Sequence, residues 1–221
     1  MPEAGKADCK KVENFMAGLA KAQSDPGFFK VLDVARRIAG TGSLGVERYV
    51  ILVQGKGSPD GHYLLDLKAS FPSSLARHAT AKQPKWKSEA HRIVEMQRRL
   101  QAVPMAFLQP VFIGRQAYVL RELQASEDRV SLDGAKQSQG DIKQVIATMG
   151  RIVAWGQLRS AGQQGSAIAD ELMDYAQGKK WQSQLLASSQ DLAKQTMLDA
   201  ATFASAYDEG AFSAELNNSL R

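Results

Sequence analysis

The chain has 221 residues, of which 44% are hydrophobic and 23% charged, and its formal net charge is +5. These values are typical of a globular protein and exclude a collagen-like or disordered chain, and the single cysteine, Cys9, excludes an intrachain disulfide. No apolar run is long enough to span a membrane, and the first residues lack the apolar stretch of a secretory signal. We therefore expect a cytoplasmic protein without a membrane partner.

Residues 1–27 are predicted to form an N-terminal amphipathic helix. Apolar side chains recur there at the spacing of one helix face, and Asp25-Pro26-Gly27 ends the pattern. The residues of this face are Val12, Phe15, Met16 and Leu19.

Residues 28–125 predict an antiparallel sheet with one helix packed against it. Tyr49–Val53 is rich in β-branched residues and indicates a buried strand, and His62–Lys68 alternates, which places Asp66 and Lys68 on one face. A helix is predicted from about Lys85 to Ala102, and two short strands joined by a turn at Gly114-Arg115-Gln116 follow it.

Residues 126–140 are polar and predict a linker or surface loop, and residues 141–221 predict helices alone. Ser166 is expected to cap a helix that ends near Gln177, and one long helix or a helix pair is expected afterwards. Trp155 and Trp181 are expected in the core. The fold class is therefore α+β: a small antiparallel sheet with a packed helix, resembling a kinase N-terminal lobe, then an all-helical half.

A glycine-rich segment lies between residues 40 and 45 and matches G-x-G-x-x-G. A dinucleotide-binding loop would lead into a helix, whereas Val46–Val53 is strand-like, so a strand–turn–strand hairpin is predicted. Such a hairpin is either an ordinary turn or a phosphate-binding lid of the kinase type. The candidate nucleotide-binding residues in it are Gly40, Thr41, Gly42, Ser43 and Gly45.

The order of charged residues after this segment favours the lid. Kinase-like folds carry a phosphate-pairing lysine on the third strand and a partner glutamate on the following helix. Lys68 fits the first role, and Glu95, or else Glu89, fits the second. We expect the Lys68 ammonium to lie within salt-bridge reach of Glu95. Two strands and a connector that contains Arg121 and Glu122 complete the candidate nucleotide site.

A cluster of basic residues between positions 76 and 101 supports an alternative. Seven basic and two acidic residues lie there, so a non-enzymatic binding module could present a basic helix over 77–99 to nucleic acid or protein. A solvated helix face explains the same charges, and nucleic acid is the less favoured partner. The basic residues are Arg77, Lys82, Lys85, Lys87, Arg92, Arg98 and Arg99.

Five segments carry a resemblance to a known family over about residues 28–212. The chain resembles the C-terminal half of the bacterial domain of unknown function family 2252, whose full-length members look like permuted relatives of aminoglycoside-phosphotransferase and protein-kinase folds. The segments are Ala35–Gly45, Leu64–Lys68, Arg92–Arg98, Tyr118–Leu123 and Trp155–Ser160.

That resemblance implies ATP with magnesium as cofactor, Gly40, Gly42 and Gly45 as the phosphate lid, and Lys68 with Glu95 as its ion pair. The family's acidic G-D-x-H-x-x-N and D-F-D segments are absent from this sequence. Phosphoryl transfer needs such carboxylates to hold magnesium, so we assign no catalytic residue and expect no turnover by this chain alone. His62, His78 and His91 lack metal-ligand spacing, and we assign no metal ligand.

The sequence thus predicts the nucleotide- and phosphate-binding half of a kinase-like protein, to which a missing N-terminal half would bring phosphotransferase-like activity. The apolar stripes over Ile142–Gly156 and Trp181–Tyr207 exceed what a few helices can cover. We therefore expect either docking of that missing half or self-association.

Overall fold

The computed structural model describes residues 4–40, 45–58, 61–125, 130, 132 and 137–212. Its described residues form five helices and five strands, besides a short 3-10 turn at Pro26–Phe29. The elements are α1 Lys6–Ala20, β1 Val31–Arg36, β2 Arg48–Gly57, β3 Gly61–Ala69, α2 Glu89–Leu100, β4 Gln109–Ile113, β5 Gln116–Glu122, α3 Gln139–Ser160, α4 Ala169–Gln177 and α5 Lys180–Asp208.

The five strands make one antiparallel sheet in the order β1-β2-β3-β5-β4. The predicted α+β class is confirmed, and so is the hairpin around the glycine-rich segment: Arg36 of β1 pairs with Tyr49 of β2. Local hairpins join β1 to β2, β2 to β3 and β4 to β5, while β3 pairs with β5 across the segment that holds α2.

Each face of the sheet packs against its own helix. Val12 and Met16 of α1 are fully buried against the face of Tyr49, Leu67 and Leu120. Alternation along the strands turns the next residues the other way. On that second face α2 packs Ala90 and Val94 against Leu108 and Val119. The sequence predicted one packed helix, and the structure has two because the N-terminal helix also joins the core.

The helix α2 begins later than predicted. The Ser88 side chain accepts a hydrogen bond from the His91 backbone N–H at 3.1 Å, which caps the helix at its N-terminus. The segment before it, residues 70–88, contains turns but no helix. The prediction of a basic helix over 77–99 is therefore wrong for residues 77–88.

The described chain divides into two compact units, residues 1–166 and 167–221. In the first unit, α3 packs against α2, and its buried residue Gly156 brings the helix close to the backbone of Leu100. Trp155, which was expected in the core, is instead 51% exposed because it projects from the uncovered side of α3.

The second unit contains α4 and α5, neither of which has a buried residue. Ile168, not Ser166, precedes α4 as its N-cap, where the backbone N–H of Ile168 donates to Glu171. After residue 179 a single 29-residue helix settles the choice between one helix and two. No helix in the described part of the chain combines the length and apolarity needed to cross a membrane.

Candidate phosphate site on the second face of the sheet

The second face of the sheet carries a cluster of charged side chains between α2 and the glycine-rich segment. Cross-strand pairing sets it up: Arg48 of β2 lies opposite Lys68 of β3, and Asp66 of β3 lies opposite Arg121 of β5. Arg37 extends the row beyond β1, where its backbone N–H donates to the Arg48 carbonyl at 2.8 Å. Strands β2, β3 and β5 therefore bring three cations and one carboxylate to the same face, and Arg37 adds a fourth cation from the segment after β1.

Asp66 is the centre of this cluster and is 1% exposed. Its two carboxylate oxygens accept from Nε and Nη2 of Arg48, both at 2.6 Å, in a bidentate pair. Arg121 Nε also donates to Asp66 Oδ2 at 3.3 Å, and Arg37 Nη1 lies 3.7 Å from Oδ1. One carboxylate thus holds three guanidinium groups in place.

The same charges act on Lys68. Burial and the neighbouring Arg48 and Arg121 lower the pKa of Lys68, and Asp66 opposes them by raising it. Cations placed side by side on neighbouring strands repel each other and weaken a sheet. A cluster of cations kept at this cost on one face is typical of a site that binds an anion.

Two cavities open on either side of Arg121. The first, of about 280 Å³, is lined by Lys68 and Arg121 together with Ile93 and Gln97 of α2, and we call it the lysine cavity. The second, of about 250 Å³, is lined by Arg37, Arg48 and Arg121 beside Gly40, and we call it the arginine cavity. Gln97 was not among the predicted site residues, although its spacing of four residues from Ile93 puts both on the same face of a helix.

The predicted pair between Lys68 and Glu95 is wrong. Glu95 Oε1 accepts from Arg98 Nη1 at 3.3 Å, and Glu89 Oε2 accepts from Arg92 Nε at 2.7 Å, so both glutamates pair along their own helix. The helix period explains this. Because Ile93 and Gln97 face the lysine cavity, the residue midway between them points away from it.

The structure places the remaining predicted nucleotide-binding residues in different parts of the sheet or leaves them outside the described residues. Gly40 and Gly45, with φ angles of 78° and 76°, border the glycine-rich segment, but Thr41, Gly42 and Ser43 lie outside the described residues. Arg121 is central to the cluster. Glu122 is turned to the first face of the sheet, where it accepts from the Tyr63 hydroxyl; burial and this hydrogen bond raise the pKa of Tyr63 to about 12.

The predicted basic residues do not form one free surface. On α2, Arg92 and Arg98 are ion-paired, and the Arg99 guanidinium lies 5.6 Å from the Trp86 ring and donates to Gln164. The other four lie in the exposed segment before the helix: Arg77, Lys82, Lys85 and Lys87.

Asp66, Arg48 and Arg37 were missed as site residues by the sequence reasoning. The alternation of β3 placed Asp66 beside Lys68, and an aspartate within a buried strand was the signal that a cationic partner lies nearby. Arg37 and Arg48 flank the glycine-rich segment, so a search for charges on either side of it would have found them.

A model of one protein family matches residues 5–206, and its description is "Uncharacterized protein conserved in bacteria (DUF2252)". No curated protein and no solved structure shows significant similarity to the chain.

Proposed function

The chain belongs to the DUF2252 family, and on that premise we propose that it binds the phosphates of a nucleotide on the second face of its sheet. The observation that carries the proposal is the gathering of Arg37, Arg48, Lys68 and Arg121 around the buried carboxylate of Asp66. Guanidinium and ammonium groups are the side chains that recognise phosphate oxygens.

The order of elements supports a kinase-like arrangement. A hairpin with a glycine-rich segment, a lysine on the third strand, a helix and two further strands follow one another here, as in the kinase nucleotide lobe. The cationic cluster lies next to Gly40, at one border of that segment. The residue of α2 that lines the lysine cavity together with Lys68 is Gln97 rather than Glu95.

Within this function the chain binds but does not turn over the nucleotide. Magnesium-dependent transfer uses carboxylates to hold the metal and orient the acceptor. Asp66 is committed to Arg48 through both oxygens. In the described ranges no three histidine, cysteine, aspartate or glutamate side chains lie together as a metal site. We expect no ATP hydrolysis, and magnesium-dependent turnover that survives repurification would contradict this.

Calorimetric titration of the full chain with ATP tests the binding. Saturable binding is expected, and Lys68→Gln should weaken it by about 10-fold or more because one charge-assisted contact is lost. Lys10→Gln, on the exposed side of α1, is the matched control and should leave the affinity unchanged. No saturable binding by the parent chain, or equal affinity in the two variants, would refute the proposed site.

A further inference from the structure

An apolar stripe, which we call the α5 stripe, runs along the whole of α5. Its members are separated by 4, 7 or 11 residues, which are close to whole numbers of helical turns, so they share one face. They are Trp181, Leu185, Leu192, Phe203 and Tyr207. No residue of α5 is buried, and the last four of these side chains are each more than half exposed. The described part of the chain therefore leaves this stripe uncovered.

Two hydroxyl side chains lie within the α5 stripe and already have hydrogen bonds. Ser189 Oγ and Thr196 Oγ1 each donate to the backbone carbonyl four residues earlier, at 2.7 and 2.8 Å. Asp199, at the edge of the stripe, accepts from Gln195 Nε2 at 2.7 Å. Because covering a polar group is costly mainly when its hydrogen bonds are lost, the two hydroxyls do not oppose burial of the stripe, while Asp199 stays at its rim.

The α5 stripe has the same spacing when it is read from either end. Lys194 is its midpoint and lies on the opposite side of the helix, where its Nζ is 3.9 Å from Asp191 Oδ1. Two identical antiparallel helices that meet at this midpoint bring together residues at equal distances from it, so the stripe of one helix covers that of the other. The pairs at equal distances from Lys194 are Trp181 with Tyr207, Leu185 with Phe203, and Leu192 with Thr196.

The charges at the two ends of α5 oppose the dipole of their own helix. Lys179 and Lys180 lie at its N-terminus, whereas Asp208 and Glu209 lie at its C-terminus. A helix dipole favours the reverse, acidic residues at the N-terminus and basic residues at the C-terminus. In an antiparallel pair the lysines lie at the same end as the acidic residues of the second helix and the negative end of its dipole. Because a parallel pair would bring like charges together at both ends, these charges fit an antiparallel copy of the same helix.

We propose that α5 is the surface through which two copies of this chain associate, as an antiparallel pair of helices centred on Lys194. Burial of the two apolar stripes supplies the affinity, and the end charges select the antiparallel over the parallel orientation. A twofold symmetric contact of this kind is closed, so it yields a dimer and not a fibre. The interface uses no residue of the phosphate site, so nucleotide binding is not needed for it.

Sedimentation equilibrium of the full chain and its variants tests the interface. The parent chain should dimerise reversibly, and Leu185→Ser should raise the dissociation constant at least about 10-fold, because symmetry removes the buried leucine twice. Leu198→Ser is the matched control: Leu198 is 62% exposed on the other side of α5, so the dissociation constant should stay unchanged. Far-ultraviolet circular dichroism checks that both variants fold. A parent chain that stays monomeric at every concentration, larger oligomers, or equal weakening by the two variants would overturn the proposal.

Reversing the charge at one end of α5 tests the orientation. Lys179→Glu combined with Lys180→Glu places acidic residues of both copies at each end of an antiparallel dimer, and it should raise the dissociation constant by about 5-fold at low salt and less at high salt. The same change suits the dipole of the single helix, so circular dichroism should show no loss of helix. Adding Asp208→Lys and Glu209→Lys should restore the parent affinity. In a parallel dimer like charges meet in every one of these variants, so a dissociation constant unchanged by the lysine reversal would refute the antiparallel pair.

Discussion

The sheet and the last two helices use their apolar residues in different ways. Every buried hydrophobic residue of the described chain lies between Val12 and Leu120, whereas α5 has no buried residue along its 29 positions. The sheet buries apolar side chains on both faces, and this stability offsets the cost of crowding four cations around Asp66. The helices present apolar residues to solvent and contribute little to the core. Stability is thus concentrated in the sheet, while unused apolar surface is concentrated in α5.

The largest effect on stability is expected at Asp66, in the centre of the charged cluster of the sheet. Asp66→Asn should lower the free energy of unfolding by about 3–5 kcal/mol, because the buried Arg48 guanidinium loses its bidentate carboxylate. Urea denaturation measures the loss. Asp33→Asn, exposed on β1, is the matched control and should change stability by less than about 0.5 kcal/mol. A loss equally small for Asp66 would mean that water already screens the cluster.

A second expected effect lies at the end of β2. Gly55 has a φ of +57°, and a Cβ there would lie 2.0 Å from the Gly61 carbonyl oxygen. Gly55→Ala should therefore destabilise the sheet by about 3 kcal/mol. Gly114→Ala, at a φ of +60° with no atom within 4 Å, should cost only about 1 kcal/mol. If thermal unfolding showed equal losses of stability for the two variants, the close approach in the β2–β3 hairpin would not be what destabilises Gly55→Ala.

A smaller effect on stability is expected at Glu47, where Lys11 of α1 pairs with the sheet. Burial raises the pKa of Glu47, but hydrogen bonds from Lys11, Tyr49 and Tyr118 outweigh it, so the net pKa lies below the usual value. Glu47→Gln should cost about 1–2 kcal/mol at pH 7.

The pH dependence of that cost follows from the lowered pKa. The stabilisation is fully present above the unfolded pKa, near 4.3, and is lost as the pH falls through the lower folded value. The difference in unfolding free energy between the parent chain and Glu47→Gln should therefore disappear below about pH 4. Glu13→Gln, exposed on α1, is the control and should show no such gap at any pH. A difference in unfolding free energy that grows as the pH falls would contradict the lowered pKa of Glu47.

The smallest effect on stability is expected in α5, and it could break the comparison. Leu192→Ser and Met197→Ser, at residues 67% and 74% exposed, should change the unfolding free energy by less than about 0.5 kcal/mol. They should nevertheless reduce self-association in analytical ultracentrifugation and the binding of an apolar dye. Gln195→Ser is the polar control. A parent chain that is strictly monomeric and binds no dye would mean that the exposed stripe is covered in solution.

Local sequence patterns predicted those elements whose contacts join residues that are close together in the sequence. The spacing of Val12 and Met16 identified the buried face of α1, and Tyr49–Val53 identified the centre of β2. The hairpin around the glycine-rich segment follows from strand-forming residues on both sides of it. In each case the side chains concerned are near neighbours in sequence, so periodicity alone was sufficient.

The charged cluster could not be predicted in the same way because it depends on distant pairing. Asp66 meets Arg121 only when β5 pairs with β3, and no local pattern specifies which strand neighbours β3. The error at Glu95 has another origin: the ordered set of charges suggested its role, but the helix period turns the side chain away from Lys68. The uncovered stripe of α5 was expected from its apolar residues, and their exposure is confirmed.

The strand order has a consequence for the speed of folding. Two locally connected blocks, β1–β2–β3 and β4–β5, meet at a single seam between β3 and β5. Closing a seam between segments so distant in sequence is entropically slow, and it should govern the folding rate. Arg121 approaches Asp66 at this seam, so the charged cluster around Asp66 is completed only when the slowest contact forms. Contacts of Arg121 with Asp66 should therefore slow the opening of the sheet while leaving the early collapse of each block unchanged.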